Sequence, residues 1–189
     1  SKSLGNTVNL KNVINEYGSD ALRMGILAGR VPAVNRGYDG RKIAEARNFC
    51  NKLWNVARFV EDKIGDKQDL RIKPEPKTDA DHWMLSRLQH SQQQISSYLE
   101  NYRLAEAYEE LYHFVWDDFA DWYVEVSKIE LNESVLAYVL ENTLKIAHPF
   151  APFVTETIWQ TLAWEQQSIL CIQSWPQPVK YEPHRAEAF

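Results

Sequence analysis

Residues 41–64 read RKIAEARNFCNKLWNVARFVEDKI, a stretch with no glycine or proline. Nothing in it interrupts an i→i−4 hydrogen-bond ladder, so it is predicted to form one long helix. At 100° per residue, Ile43, Ala46, Cys50, Leu53, Trp54, Ala57 and Ile64 fall within about 100° of one another and make a core face. The opposite side collects Arg41, Glu45, Asn48, Lys52, Asn55 and Phe59, with Asn51 and Arg58 on one shoulder. Charges and amides are ordinary on a solvated face. A full-size aromatic in line with Arg41, Lys52 and Asn55 is not. Either Phe59 packs under the following linker or a neighbouring domain, or it serves a ligand. The ligand that such a set fits is single-stranded nucleic acid: cations neutralise phosphates, amides pair with base edges, and an aromatic face stacks an unpaired base for roughly 1–3 kcal/mol.

On the N-terminal side, the pattern Leu10, Val13, Ile14, Tyr17 marks a short helix that stops at Gly18. Ser19 is placed to cap a second short helix over 20–28, ended by Gly29 and Pro32. Residues 29–40 hold three glycines and a proline and read as a connecting loop. On the C-terminal side, 65–78 (GDKQDLRIKPEPKT) is a polar crossover. Long helices follow over about 79–101 and 102–129, and a fourth over about 133–147, broken by Pro149 and Pro152. Pro152 suits the first turn of a last short helix reaching about Trp164. Residues 169–172 could form a brief strand, and 175–189 read as a tail. The fold class is therefore mainly α: a small helical connector (1–40), an antiparallel bundle of four or five helices (41–165) and a C-terminal extension (166–189).

Composition agrees with a packed helical protein. Of 189 residues, 44% are hydrophobic and 25% charged, while seven glycines are too few for the turns of an all-β chain. No apolar run approaches the roughly 18 residues of a membrane span, and the N-terminus lacks a secretory pattern. Cys50 and Cys171 lie far apart with no metal spacing and read as reduced, cytoplasmic thiols. The net charge of −5 does not exclude an RNA partner, because binding depends on a local basic stripe.

The opening residues, SKSLGN (1–6), have a lysine flanked by hydroxyls and then a Gly-Asn turn, but no phosphate-loop motif. They resemble the end of the Lys-Met-Ser-Lys-Ser-x-Gly-Asn loop of the class I aminoacyl-tRNA synthetases. The segment YGSDALR (17–23) is similar to that family's YGADALR, and ARNFCNKLWNVARF (46–59) to its valine-specific branch. WDDFADWY (116–123) and HPFAPFVTETIW (148–159) match bundle segments of the same branch, in the same order. The resemblance covers about 1–164. It implies that the sequence starts inside the loop, and that Lys2, with Ser1 and Ser3 holding the loop closed, stabilises phosphate charge of ATP during adenylate formation in the intact enzyme. It further implies that Arg41, Asn55, Arg58 and Phe59 contact the anticodon loop of tRNA(Val), with Phe59 as stacking platform and Lys52 on the same face. ATP is expected only with the intact, monomeric enzyme and its separate catalytic domain, and the isolated fragment is expected to be inactive. The segment 30–40 departs from the family's usual "GxDI" turn, which leaves the approach to Arg41 open. The isoleucine and other class I enzymes, or a helical scaffold without an RNA role, are the alternatives.

Other clusters carry less. Glu110 and His113 form the E-x-x-H half of a di-iron motif without its second half. Asp117, Asp118, Asp121 and Glu125 alternate with aromatics and read as acids bonding neighbouring helices. His148 reads as packing at a helix break, and no metal site is expected.

Overall fold

A computed structural model describes residues 8–30, 39–65, 73–162, 164 and 168–188. In chain order the helices are α1 (Leu10–Tyr17), α2 (Ser19–Leu27), α3 (Gly40–Ile64), α4 (Asp79–Glu100), α5 (Leu104–His113), a π-helical segment (Phe114–Tyr123), α6 (Val124–Ser127), α7 (Glu133–Ala147), α8 (Pro152–Leu162) and α9 (Pro183–Ala186), with a 3₁₀ turn at Leu170–Ile172. No strand occurs among the described residues.

Local chemistry sets the boundaries. Asn9 caps α1 through Lys11 N, and Asp39 caps α3 through Arg41 N. Thr78 and Asp81 form a reciprocal capping box at the start of α4. Gly18 turns α1 into α2 at φ +91°, a region that only glycine enters cheaply. Gly18 thus takes the cap position, and Ser19, expected to be the cap, is instead the first helical residue and makes no side-chain cap bond.

The centre of the bundle is α3, which packs on α2, the π segment, α7 and α8, while α4 packs on α5, α7, the π segment and α9. Phe49, Leu53 and Val60 of α3 are fully buried, as are Met84, Leu111, Phe114, Phe119 and Leu140 from its neighbours. Each such side chain contributes roughly 1.5–3 kcal/mol by leaving water. The buried arc of α3 is rotated from the one expected: Phe49, Val56 and Val60 join Ile43, Ala46, Leu53, Ala57 and Ile64, whereas Cys50 and Trp54 are half-buried. On that side of α3, Phe49 packs against Tyr108 and Tyr112 of α5, and Lys52 bonds Asp121 of the π segment.

Two further expectations change. The proposed strand at 169–172 is a 3₁₀ turn, in which Leu170 N donates to the Glu156 carboxylate of α8. The closing segment is docked on α4. Trp175 Nε1 donates to Ser96 Oγ (2.9 Å), Gln92 donates to the Pro176 carbonyl, and Arg185 reaches both Asp79 (2.6 Å) and the Lys77 carbonyl (3.0 Å).

Candidate nucleic-acid interface

The capping of α3 by Asp39 aims the first turn of the helix outward. The Arg41 side chain is 88% exposed and rests on Asp39 at 3.3 Å. Arg41 also holds the Asp39 carboxyl below its ordinary range, chiefly through its side-chain hydrogen bond. An exposed pair of this kind is worth little, so the guanidinium can exchange Asp39 for a phosphate at small cost. Asn48, Asn51, Asn55 and Arg58 continue the exposed side of the helix. Phe59 is half-buried, packed against the core at one margin, with Lys63 Nζ 5.5 Å from its ring centroid.

At 1.5 Å per residue, Asn55, Arg58 and Phe59 lie within about 6 Å along the helix axis, whereas Arg41 is roughly 27 Å from Phe59. The tight cluster is therefore Asn55, Arg58 and Phe59, with Arg41 a separate outpost. Lys52 is engaged elsewhere: its ammonium bonds Asp121 Oδ1 at 2.6 Å and sits 5.1 Å from the Trp116 ring centroid. It caps a ladder of rings in which Phe49, Tyr112 and Trp116 stack at 5.7 and 5.5 Å. The phosphate-handling residues expected in the opening loop, Ser1, Lys2 and Ser3, lie outside the described residues.

The remaining polar groups have structural partners. Glu110 accepts from Ser91 Oγ while His113 faces Asp117, so the E-x-x-H pair diverges. Asp118 bonds Arg87, and Glu125 bonds Lys128. Burial raises the Asp118 pKa above its ordinary value even with Arg87 lowering it. His148 Nδ1 meets Thr155 Oγ1 at 2.8 Å, and partial burial lowers its pKa. Cys50 is pushed up to about 12 by burial, with Asp20 adding to the effect, so it is a packing thiol. Among the described residues, no group of three His, Cys, Asp or Glu is placed to hold a metal. No helix among them is long and apolar enough to cross a membrane.

Periodicity missed one contact. Asp20 is buried and accepts from the Phe153 and Val154 amides (3.2 and 2.7 Å), while Arg23 donates to the Pro149 and Phe150 carbonyls (3.0 and 3.4 Å). The YGSDALR and HPFAPF segments are thereby joined. The only sequence signal was that both blocks are distinctive, and nothing in either says that they touch.

Comparison with known proteins places the helical bundle itself. A family model described as the anticodon-binding domain of tRNA ligase matches residues 81–189, more than half of the chain. The chain belongs to this family of anticodon-binding domains. Within it, the chain is similar to valine–tRNA ligases: it is 42% identical to that of Geobacillus kaustophilus (strain HTA426) over 200 aligned positions, covering 100% of this chain and 22% of the relative. The enzyme of Staphylococcus carnosus (strain TM300) is 40% identical over 190, covering 94% of this chain and 22% of its own length. The chain thus spans about a fifth of the length of the relatives it matches. In fold it superposes on the LeuRS of the Agrobacterium radiobacter K84 agnB2 LeuRS-tRNA-LeuAMS ternary complex with a TM-score of 0.80 at 20% identity, covering 94% of this chain and 22% of that one.

Proposed function

We propose that this chain recognises the anticodon loop of tRNA(Val) as the RNA-reading part of a valine–tRNA ligase. The observation that carries the reading is that α3 presents Asn55 and Arg58 exposed beside a half-buried Phe59, in a chain about 40% identical to valine–tRNA ligases over its length. Phe59 supplies the stacking surface, Asn55 an amide for a base edge, and Arg58 and the distant Arg41 the charge for phosphates. Lys52, held by Asp121 and Trp116, supports the face from its edge by fixing the π segment against α3.

The joining of valine to tRNA with ATP belongs, in this reading, to a whole cytoplasmic and monomeric ligase with a separate catalytic domain. There Lys2, helped by Ser1 and Ser3, would stabilise phosphate charge as the adenylate forms, and residues 1–189 alone form none. The division into a connector (1–40), a bundle (41–165) and an extension (166–189) is part of the same proposal.

The test is Phe59→Ala in the purified chain, titrated against a valine anticodon stem-loop. Loss of one stacked base weakens binding by about 1–3 kcal/mol. Binding also falls steeply with salt, as phosphate neutralisation requires. Unchanged affinity in a folded Phe59→Ala variant would sink the stacking role. Equal affinity for valine and isoleucine anticodons would remove the amino-acid assignment.

A further inference from the structure

The C-terminal end of α2, the first turns of α3 and the second half of α5 enclose a cleft of about 250 Å³. Lys42 and Glu45 line it from α3, and Tyr108, Glu109, Tyr112 and His113 from α5. α2 reaches it at Ala28 and Gly29, just past its last helical residue, Leu27. A helix ends in carbonyls that carry roughly half a negative charge, so this side of the cleft favours a cation.

The side chains push the same way. The Lys42 ammonium bonds the Glu45 carboxylate at 2.8 Å, and those two charges offset each other. Glu109 is exposed and forms no ion pair with a described residue. The neighbouring cationic groups are engaged: His113 faces Asp117 at 2.8 Å, and Arg30 Nε donates to the Ile26 carbonyl at 2.6 Å. The unbalanced charge is negative, and Tyr108 feels it. Burial does most to raise the Tyr108 pKa, and Glu45 and Glu109 are among the groups that raise it further. Tyr108 is 4% exposed and lines the cleft, yet its hydroxyl has no hydrogen-bond partner among the described residues. Its ring meets that of Tyr112 edge to face, with centroids 6.3 Å apart at 69°, which gives the cleft aromatic surface in two directions.

A metal ion needs several oxygen or nitrogen ligands converging on one point. Among the described residues, no three His, Cys, Asp or Glu side chains do so. An ammonium group is less demanding: its three N–H donors reach separated oxygens, and the carbons behind it lie on aromatic faces. We propose that this cleft binds an alkylammonium ion, its head between Glu109 and the carbonyl end of α2 and its methylene chain along Tyr108 and Tyr112. The Tyr108 hydroxyl oxygen accepts one of the head's donors. A cleft below the roughly 300–1,000 Å³ of drug-sized sites suits a thin aliphatic chain. A free polyamine and a lysine side chain of a neighbouring protein carry the same head. The proposal does not depend on the reading of α3 as an RNA-binding face.

The experiment is a nuclear magnetic resonance titration of the ¹⁵N-labelled intact chain with spermidine, with Nα-acetyl-lysine amide and with magnesium, at matched ionic strength. Saturable shifts centred on the Gly29, Lys42 and Glu109 amides are expected with spermidine and absent with magnesium. Saturation by the lysine amide but not by spermidine would assign the head to a protein neighbour. Glu109→Gln, at an exposed position, weakens binding by about tenfold, the loss of a charged hydrogen bond. Tyr108→Phe keeps the ring, removes an unpaired hydroxyl and weakens binding by about threefold. Lys42→Met frees Glu45 and tightens binding by about threefold, a gain that a merely structural role does not produce. Equal shifts from magnesium and spermidine would reduce the cleft to diffuse counterion attraction and overturn the proposal. So would an affinity unchanged in both Glu109→Gln and Lys42→Met, or one lost in Lys42→Met, which would mark a site for anions.

Discussion

Gly25 shows how one residue sets the closeness of two helices. A Cβ built there would lie 2.7 Å from Ile43 Cγ1 and 2.8 Å from Ile43 Cα. The second contact is to backbone, so no side-chain rotation relieves it. Gly25→Ala gains about 1 kcal/mol of helix propensity but forces α2 off α3, and overpacking of this kind costs about 1–3 kcal/mol. The clash is against backbone and therefore sits at the upper end, so the variant melts a few degrees below wild type by circular dichroism. A midpoint at or above wild type would mean that the α2–α3 crossing has slack. Residue-level reading of the sequence succeeded for most of the buried side of α3 and failed where a partner was needed to decide. Lys52 sat on the polar stripe by angle, but Asp121, sixty-nine positions away, claims its ammonium. Trp54 fell on the core face, yet the gap left by Ala57 between α3 and α8 keeps it half-exposed. A helical wheel orders residues around one axis and contains no neighbours.

At the scale of elements, helix positions were legible because apolar spacing and the breakers Gly18, Pro149 and Pro152 are local, whereas the caps Asn9 and Thr78 emerge only from the structure. The π character of Phe114–Tyr123 was not legible, since its wide turn leaves composition unchanged. It nonetheless sets which partners meet: Asp118 reaches Arg87, Asp121 reaches Lys52, and Tyr123 donates to the buried Asp81 at 2.6 Å. The closing segment read as a tail because it is short in apolar periodicity, but single polar contacts fix it. The Glu182 amide donates to His82 Nδ1 at 2.9 Å, and Arg185 joins α9 to Asp79 and the Lys77 carbonyl. A four-residue helix has no stability of its own. Arg185→Met removes both anchors and costs roughly 1 kcal/mol, a value kept low because the ion pair is partly exposed. The expected result is faster proteolysis within 173–188 while the bundle melts almost as before. Cleavage at the wild-type rate would show that Trp175 and Gln92 hold the segment unaided.

For the whole molecule, the decisive contact joins the connector to the bundle. α8 begins at Pro152, which has no amide hydrogen, and it is preceded by Ala151, which has no side-chain acceptor. The next two amides, of Phe153 and Val154, would remain unpaired at a partly buried helix start. Asp20 accepts both from α2, a cap supplied from 133 and 134 residues away in the sequence, and Arg23 takes the carbonyls of Pro149 and Phe150 just before. This pair spans the α7–α8 turn and holds α2 against α8. Asp20→Ala leaves the two amides without their acceptor in a partly buried site, at about 1 kcal/mol. For a chain of this size that lowers the melting temperature by about 2–4 °C per kcal/mol. The loss should also be local. Hydrogen exchange at Phe153 and Val154 accelerates far more than at Leu53 in the middle of α3. Equal acceleration across the bundle would show that Asp20 supports the fold generally, without a specific hold on α8.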